Sequence, residues 1–392
     1  MLPIWAQLLA LTLGHVFSNA VRTIPAIAAD VMSADLGTGT EGLAAITGAY
    51  PAAFALAMVP VGVALDRFGS RLVMLWLLGI CGAGLVLAIT AQGAAMMLLA
   101  QCVLGVGCSG MMMAPITFAA RTIPPVSFGM WTGVVQATGN SGMLISASPI
   151  AWLVDQAGWR AGYTATGAIL LLAILAVALL VREARPGGAP RPVMQDARAV
   201  LDFAIAPRLL PLMALAFVSF GALLGVRGLW GGPWLMEVKG LSRIEAGNLL
   251  LAAAVSLVIG PFIAGLVDRG LGRPRLLMVL AHILAIGFLL ALLGMAGVDA
   301  PLLDGLLLVG FGLSVTSHVL LFSLVRARVT QDVAGRAMSA MNLYFFGGAA
   351  VMQALSGLAA GWGGIAGALW CIAGMLALGT LVFAWGEARR QG

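Results

Sequence analysis

The chain has 392 residues, of which 61% are hydrophobic and 9% charged, with a mean hydropathy of +1.05. Soluble domains carry about 25% charged residues, and no water-soluble core could hide this much apolar sequence, so the composition defines an all-α integral membrane protein. The formal charge of +6 comes from basic residues scattered between apolar runs, which excludes a nucleic-acid footprint; Cys81, Cys102, Cys108 and Cys371 lie inside those runs without a CxxC, which excludes a disulfide framework or zinc site.

A membrane helix needs about 20 mostly apolar residues. Such runs fall at 5–29, 42–65, 72–92, 95–120, 129–153 and 161–181, then at 209–234, 244–267, 276–296, 302–325, 336–359 and 363–385. These are twelve predicted spans in two sets of six. The stretch 182–208 between them holds five arginines (182, 185, 191, 198 and 208) among Pro and Gly, and reads as a flexible cytoplasmic linker. The expected domains are therefore residues 1–181, a six-helix bundle, and 209–392, a second one. With both termini inside, 16 of the 21 Lys and Arg fall on the inward side and only Arg160, Lys239 and Arg243 on the outward side, which orients the chain by the positive-inside rule.

The two sets repeat. A shift of 205 positions aligns Val21-Arg22 with Val226-Arg227, and Gly105, Gly107, Ser109 and Arg121 with Gly310, Gly312, Ser314 and Arg326. Both sets enter from the same side, so the repeat is parallel. After span 2 comes Gly62-Val63-Ala64-Leu65-Asp66-Arg67-Phe68-Gly69-Ser70-Arg71; after span 8 comes Gly265-Leu266-Val267-Asp268-Arg269-Gly270-Leu271-Gly272-Arg273. This twice-used GxxxDRxGxR-like pattern, with twelve spans and a basic central linker, resembles the major facilitator superfamily over the whole chain. The resemblance implies two six-helix bundles related by a pseudo-two-fold axis, secondary transport by alternating access, and cytoplasmic latches. Gating residues are then Asp66, Arg67, Arg71 and Arg121, and Asp268, Arg269, Arg273 and Arg326, with Asp66 facing Arg121 and Asp268 facing Arg326. A simpler role for these charges is to fix topology.

Charge inside hydrocarbon marks function, because each mid-span arginine costs about 2.5–3.5 kcal/mol on insertion scales. Two arginines qualify, Arg22 in span 1 and Arg227 in span 7, at matching depth; all 15 acidic residues fall at span ends or in loops. Two guanidinium groups facing each other repel unless water or an anion sits between them, and their forks suit carboxylate or phosphate oxygens. The alternative is that each snorkels or bonds backbone carbonyls. The pair resembles, in position only, the organophosphate:phosphate antiporter branch of the superfamily and its related vesicular and lysosomal anion carriers, which implies an anionic substrate. The flanking sequences of that branch are absent.

Further candidates for the substrate site are Asn19, which shares a face of span 1 with His15 and Arg22, together with Tyr50, Gln136, Asn140, His318 and Tyr344. Taken singly, helix–helix hydrogen bonding is the commoner use of such residues. His15 and His318 are candidates for a coupling proton. Thr138-Gly139-Asn140-Ser141-Gly142 resembles the nitrate/nitrite porter signature, but spans 2 and 8 lack that family's arginines, and the small residues read as a packing seam. Gln101 stands where many proton-driven relatives carry an arginine. Met111, Met112 and Met113 point in three directions around a helix and cannot converge on one copper ion. No nucleophile–base constellation or phosphate-binding glycine loop occurs, so neither an enzyme nor a cofactor is expected. The sequence thus leads to a secondary transporter of a small organic or phosphorylated anion, expected as a monomer and coupled to protons, sodium or a counter-anion. A cation or drug exporter of the same fold, and a transport-dead membrane sensor or assembly partner, stand as alternatives.

Overall fold

The computed structural model describes residues 3–146, 148–183, 193–329 and 334–390, and among these it is helical with no strand. Among the described residues, ten helices are long and apolar enough to cross a membrane. One of them, Ala337–Ala388, runs 52 residues, and its backbone leaves helical geometry at Gly363 and Gly364, where Gly364 takes φ +61°. At about 20 residues per crossing it crosses twice. Span 5 is not among the ten: its first helix, Pro125–Ile145, is 21 residues long but carries Gln136, Asn140 and Ser141, and it is followed by Ser148–Ala157. Counting these, the path has the twelve expected crossings. The two ends of the described chain meet the described parts of the linker, Arg182 donating to Gln7 and Arg390 to the Arg208 carbonyl; this is called here the terminal end of the bundle, and the other the distal end.

Burial is inverted relative to a soluble protein. Leu56 is 78% exposed, Leu179 69% and Trp362 95%. These face lipid, while small residues let the helices approach. A Cβ on Gly142 would lie 2.0 Å from the Val16 carbonyl oxygen, and one on Gly348 2.0 Å from the Phe217 carbonyl oxygen. Span 5 thus meets span 1 as span 11 meets span 7, through a glycine in each case. The Gly139–Gly142 segment is the packing seam that its composition suggested, with Gly139 against the His15 ring.

Two elements depart from expectation. Span 1 is not continuous: Ile4–Val21 ends at Arg22, and Ile24–Asp35 resumes after Thr23. The linker is not wholly irregular either, since Val193–Ala204 is a helix. Its buried Val200 and Ala204 are four residues apart and share one face, and the helix packs on spans 2 and 11. Residues 184–192 of the linker lie outside the described residues.

The repeat also needs a local correction. Gly105 packs on the Tyr50 carbonyl and Phe54 of span 2, and its counterpart by environment is Gly312, packed on Ser256 and Leu257 of span 8. Gly310, the partner at a shift of 205, meets Phe288 of span 9 instead. The connector before span 4 is residues 90–93, whereas that before span 10 is residues 295–300. Those two extra residues slip span 10 to a shift of 207.

Candidate functional site

Both intramembrane arginines sit where the helix is irregular. Arg22 caps the first half of span 1. Arg227 lies in a π-helical turn, Val226–Trp230, that follows Leu210–Gly225. Such turns leave carbonyls and side chains free of the regular ladder and recur at functional sites. Thr23, beside Arg22, hydrogen-bonds the Ser146 hydroxyl at the break in span 5. The irregular points of three spans therefore converge.

Arg227 is 5% exposed. Its Nη2 donates to the Met143 carbonyl at 2.8 Å, close to the C-terminus of Pro125–Ile145, where carbonyls lose their intrahelical donors and the helix dipole is negative. Its Nε and Nη1 are buried without a partner, as is Nε of Arg22. Apolar side chains of spans 7, 8 and 10, among them Leu250, Leu257, Leu308 and Phe311, form a crevice beside Arg227 and supply no acceptor. Arg22 is half-buried, its guanidinium 5.9 Å from the Phe220 ring centroid, and the half of span 1 that follows it, Ile24–Asp35, packs against the Val226–Trp230 turn that carries Arg227. The carbonyl alternative is met only once, by Nη2 of Arg227. The remaining orphaned donors suit an acceptor-rich group entering between the two arginines.

The other substrate candidates are largely engaged in packing. Tyr50 shares a 3.0 Å hydrogen bond with Ser18, and Asn19 donates to the Gly139 carbonyl at 2.9 Å and stands 3.4 Å from the His15 ring. Gln136 donates to Asn140 at 3.3 Å, as their spacing implied. His318 Nδ1 bonds the Val315 carbonyl at 2.8 Å and its ring stands edge-on to Phe220. Tyr344 donates to the Ala204 carbonyl at 3.0 Å, so it ties span 11 to the linker helix. Gln101 donates to Tyr163 at 2.9 Å, joining spans 4 and 6.

At the terminal end a glutamate from each set joins the charges expected there. Arg121 pairs with Glu183 at 3.3 Å and donates to the Leu65 carbonyl. Glu183 also accepts the backbone N–H groups of Ser70 and Arg71 at the start of span 3, an acidic group on a helix N-terminus. Arg71 reaches the Ala178 carbonyl at 2.9 Å, and Arg67 rests over Phe68. The Asp66 side chain lies outside the described residues. After span 12, Glu387 pairs with Arg275 at 3.0 Å and with Arg328. Arg71 to Arg275 and Glu183 to Glu387 are both shifts of 204, and Arg121 to Arg328 is 207. Among the described residues Asp268 and Arg326 form no ion pair: Asp268 Oδ1 is buried and unpartnered, while Arg326, Arg269 and Arg273 are exposed. The slip of span 10 places Arg328, not Arg326, where Arg121 stands in the first set.

At the distal end Arg243 carries the ion pairs between the sets that are seen among the described residues. Ser242 and Glu245 form a capping box that starts the helix of span 8, which puts Arg243 at its first position. There the helix dipole disfavours a cation, and the side chain turns away to Asp30, binding it with two bonds of 2.9 and 2.7 Å. Asp155 lies 4.0 Å from its Nε. Ser148 bonds Asn248 at 2.6 Å, and a Cβ on Gly232 would lie 1.5 Å from the Ala26 carbonyl. Within the second set, Lys239 is buried against Asp304 at 3.1 Å and caps the Met295 and Val298 carbonyls. Lys239 and Asp304 thus lie in a loop and at a span end, where the sequence places them, but with their side chains buried against each other. In the first set Arg160 holds Asp35 and the Ile89 and Ala91 carbonyls. Hydrogen bonds from Arg160 and then Trp159 keep the Asp35 carboxyl below the usual carboxylate range.

Glu183, Glu387, Arg243 and Asp30 carry this geometry, and none was a sequence candidate. The repeat could have exposed the two glutamates, since each follows the last span of its set. No local pattern marks Asp30 as the partner of a residue 213 positions away.

A helix bundle with this burial pattern and repeated break points defines a multi-pass integral membrane protein. The sequence profile of the Major Facilitator Superfamily matches residues 11–352, and the chain belongs to that family of transporters. It is 30% identical over 194 residues to the tetracenomycin C resistance and export protein of Streptomyces glaucescens, covering 48% of this chain and 35% of that protein. It is also 30% identical over 165 residues to an uncharacterized MFS-type transporter of Mycobacterium tuberculosis, covering 40% and 27%. The chain spans about a third of the length of these curated relatives. Among solved structures, a mutant of the nucleoside transporter NupG has a TM-score of 0.79 at 13% identity, covering 98% of this chain and 100% of that one. The D-xylose-proton symporter has 0.76 at 15%, covering 97% of each. A bacterial homologue of the human lysosomal transporter Spinster, inward-facing and occupied, has 0.75 at 16%, covering 97% and 96%. At these identities the structures bear on the fold alone.

Proposed function

We propose that this Major Facilitator Superfamily transporter moves a small organic or phosphorylated anion by alternating access across the plasma membrane. Residues 1–181 and 209–392 are its two moving units, with 182–208 as the linker and both termini cytoplasmic. The observation that carries the anion reading is the pair Arg22 and Arg227: like charges at the break points of spans 1 and 7, with buried donors that no protein acceptor satisfies. An anion between them replaces repulsion with charge-assisted hydrogen bonds from both units and draws them together. The distal ends are interlocked through Arg243–Asp30 and Ser148–Asn248, which supports a conformation open at the cytoplasmic end. Asp66, Arg67, Arg71 and Arg121, with Asp268, Arg269, Arg273 and Arg326, remain the proposed moving surface of that end.

Export is the favoured direction, because one relative is a resistance and export protein. That likeness also supports the second reading, a drug exporter of the same fold. Proteoliposome counterflow with carboxylates, phosphate esters, inorganic anions and cationic drugs separates the two. We expect anion counterflow that is lost in Arg22→Gln and in Arg227→Gln. Counterflow of cations alone, unchanged in both variants, would contradict the anion reading.

A further inference from the structure

The arginine pair addresses the charge of a substrate and leaves its body unassigned. The surface beside the pair is aromatic. Phe220 of span 7, half-buried under Arg22, stands edge-on to Phe346 at 4.9 Å between centroids and tilted against Phe345 at 5.6 Å. The His318 ring is edge-on to both Phe220 and Phe345, at 6.0 and 5.2 Å. Phe346 in turn stacks on Phe54 of span 2, with centroids 3.7 Å apart and ring planes 15° from parallel. Four spans from both sets thus build one ring cluster, and its half-buried member lies beneath the arginine that lacks a protein acceptor.

The polar groups nearby offer little to a polyhydroxylated body. Ser18 and Tyr50 bond each other, the Asn19 amide nitrogen is held by Gly139 so that only its Oδ1 stays open, and the Tyr344 hydroxyl is taken by Ala204. A sugar phosphate entering here would set its hydroxyls against phenyl rings and lose their water without replacement. A flat aromatic body loses nothing comparable, since ring faces and edges attract beyond the area they bury.

We propose that the substrate is an aromatic carboxylate: the carboxylate lies between Arg22 and Arg227, and the ring packs against Phe220 and the Phe345–Phe346 cluster. This rests on the anion reading of the site. Phe220 is then a specificity-determining residue, selecting ring over aliphatic body, while the arginines select charge.

The test is equilibrium binding to the purified full chain of benzoate, cyclohexanecarboxylate and benzyl alcohol. The first two share charge and approximate size, and the third keeps the ring without the charge. We expect benzoate to bind about tenfold more tightly than cyclohexanecarboxylate, the scale of one aromatic pair. Phe220→Leu should bring the two carboxylate affinities to within about twofold of each other, and Phe220→Tyr should keep the tenfold ratio; the tyrosine variant decides the point if the leucine variant does not fold. Equal binding of the two carboxylates overturns the aromatic assignment and leaves the anion reading standing. Benzyl alcohol binding as tightly as benzoate overturns the anion reading itself.

Discussion

At the distal end Arg243 reaches from span 8 to Asp30 on the continuation of span 1, whereas at the terminal end Glu183 and Glu387 each bind only helices of their own set. The distal pair therefore closes the two sets on each other, and it must break if they part there. The terminal pairs staple spans 3, 4 and 6, and spans 9, 10 and 12, and survive any rigid movement between the sets. A charge at a span end thus serves either as a gate or as a brace, and only its partner tells which.

That comparison can be broken experimentally. The largest effect is expected from Gly232→Leu. A side chain there meets the Ala26 carbonyl, so the distal ends cannot close as they stand, and transport should fall by well over tenfold. A cysteine placed at Asn248 should then react freely with a membrane-impermeant maleimide. Arg243→Gln removes a two-bond ion pair whose arginine is 10% exposed and whose aspartate is 40% exposed. At about 1–2 kcal/mol, discounted for that exposure, it should shift the closed-to-open ratio roughly 5- to 30-fold in the same labelling assay. Arg243→Lys should recover only part of this, because lysine lacks the fork.

Smaller effects should follow at the braces. Glu183→Gln and Glu387→Gln each remove a buried carboxylate from its guanidinium partners, at about 1–3 kcal/mol. Both should lower Tm while leaving maleimide labelling at Asn248 unchanged; a change in labelling would make them gates. The smallest effect is pH-linked. Because its partners depress the Asp35 carboxyl, that carboxylate stabilises the fold fully above the ordinary carboxylate pKa of about 4 and loses its contribution as pH falls through the lowered value. The Tm difference between the wild type and Asp35→Asn should therefore be constant at neutral pH and vanish in acid.

The fold was legible because hydrocarbon imposes a length and a composition on every crossing. Twelve runs, the break between two sets and the depth of Arg22 and Arg227 follow from counting. The site was legible only in part. An arginine in an apolar run announces itself, since its cost demands a reason, but the irregular backbone at Val21–Thr23 and Val226–Trp230 has no local sequence mark. Phe220, Phe345 and Phe346 look like any lipid-facing phenylalanine until their spans are packed. Asp268 illustrates the limit of motif reading: its pattern recurs with Ala264 in place of the leading glycine, yet the two-residue lengthening before span 10 puts Arg328, paired with Glu387, where the motif points to Arg326.

The central claim is that a single anion bridges Arg22 and Arg227. It is tested most directly by a double-mutant cycle on counterflow of the best-transported carboxylate, using Arg22→Gln, Arg227→Gln and the pair together. A bridging anion needs both forks, so each single variant should lose nearly as much as the double variant, a strong non-additivity. Losses that simply add, or a single variant that retains most of the wild-type counterflow, would contradict it.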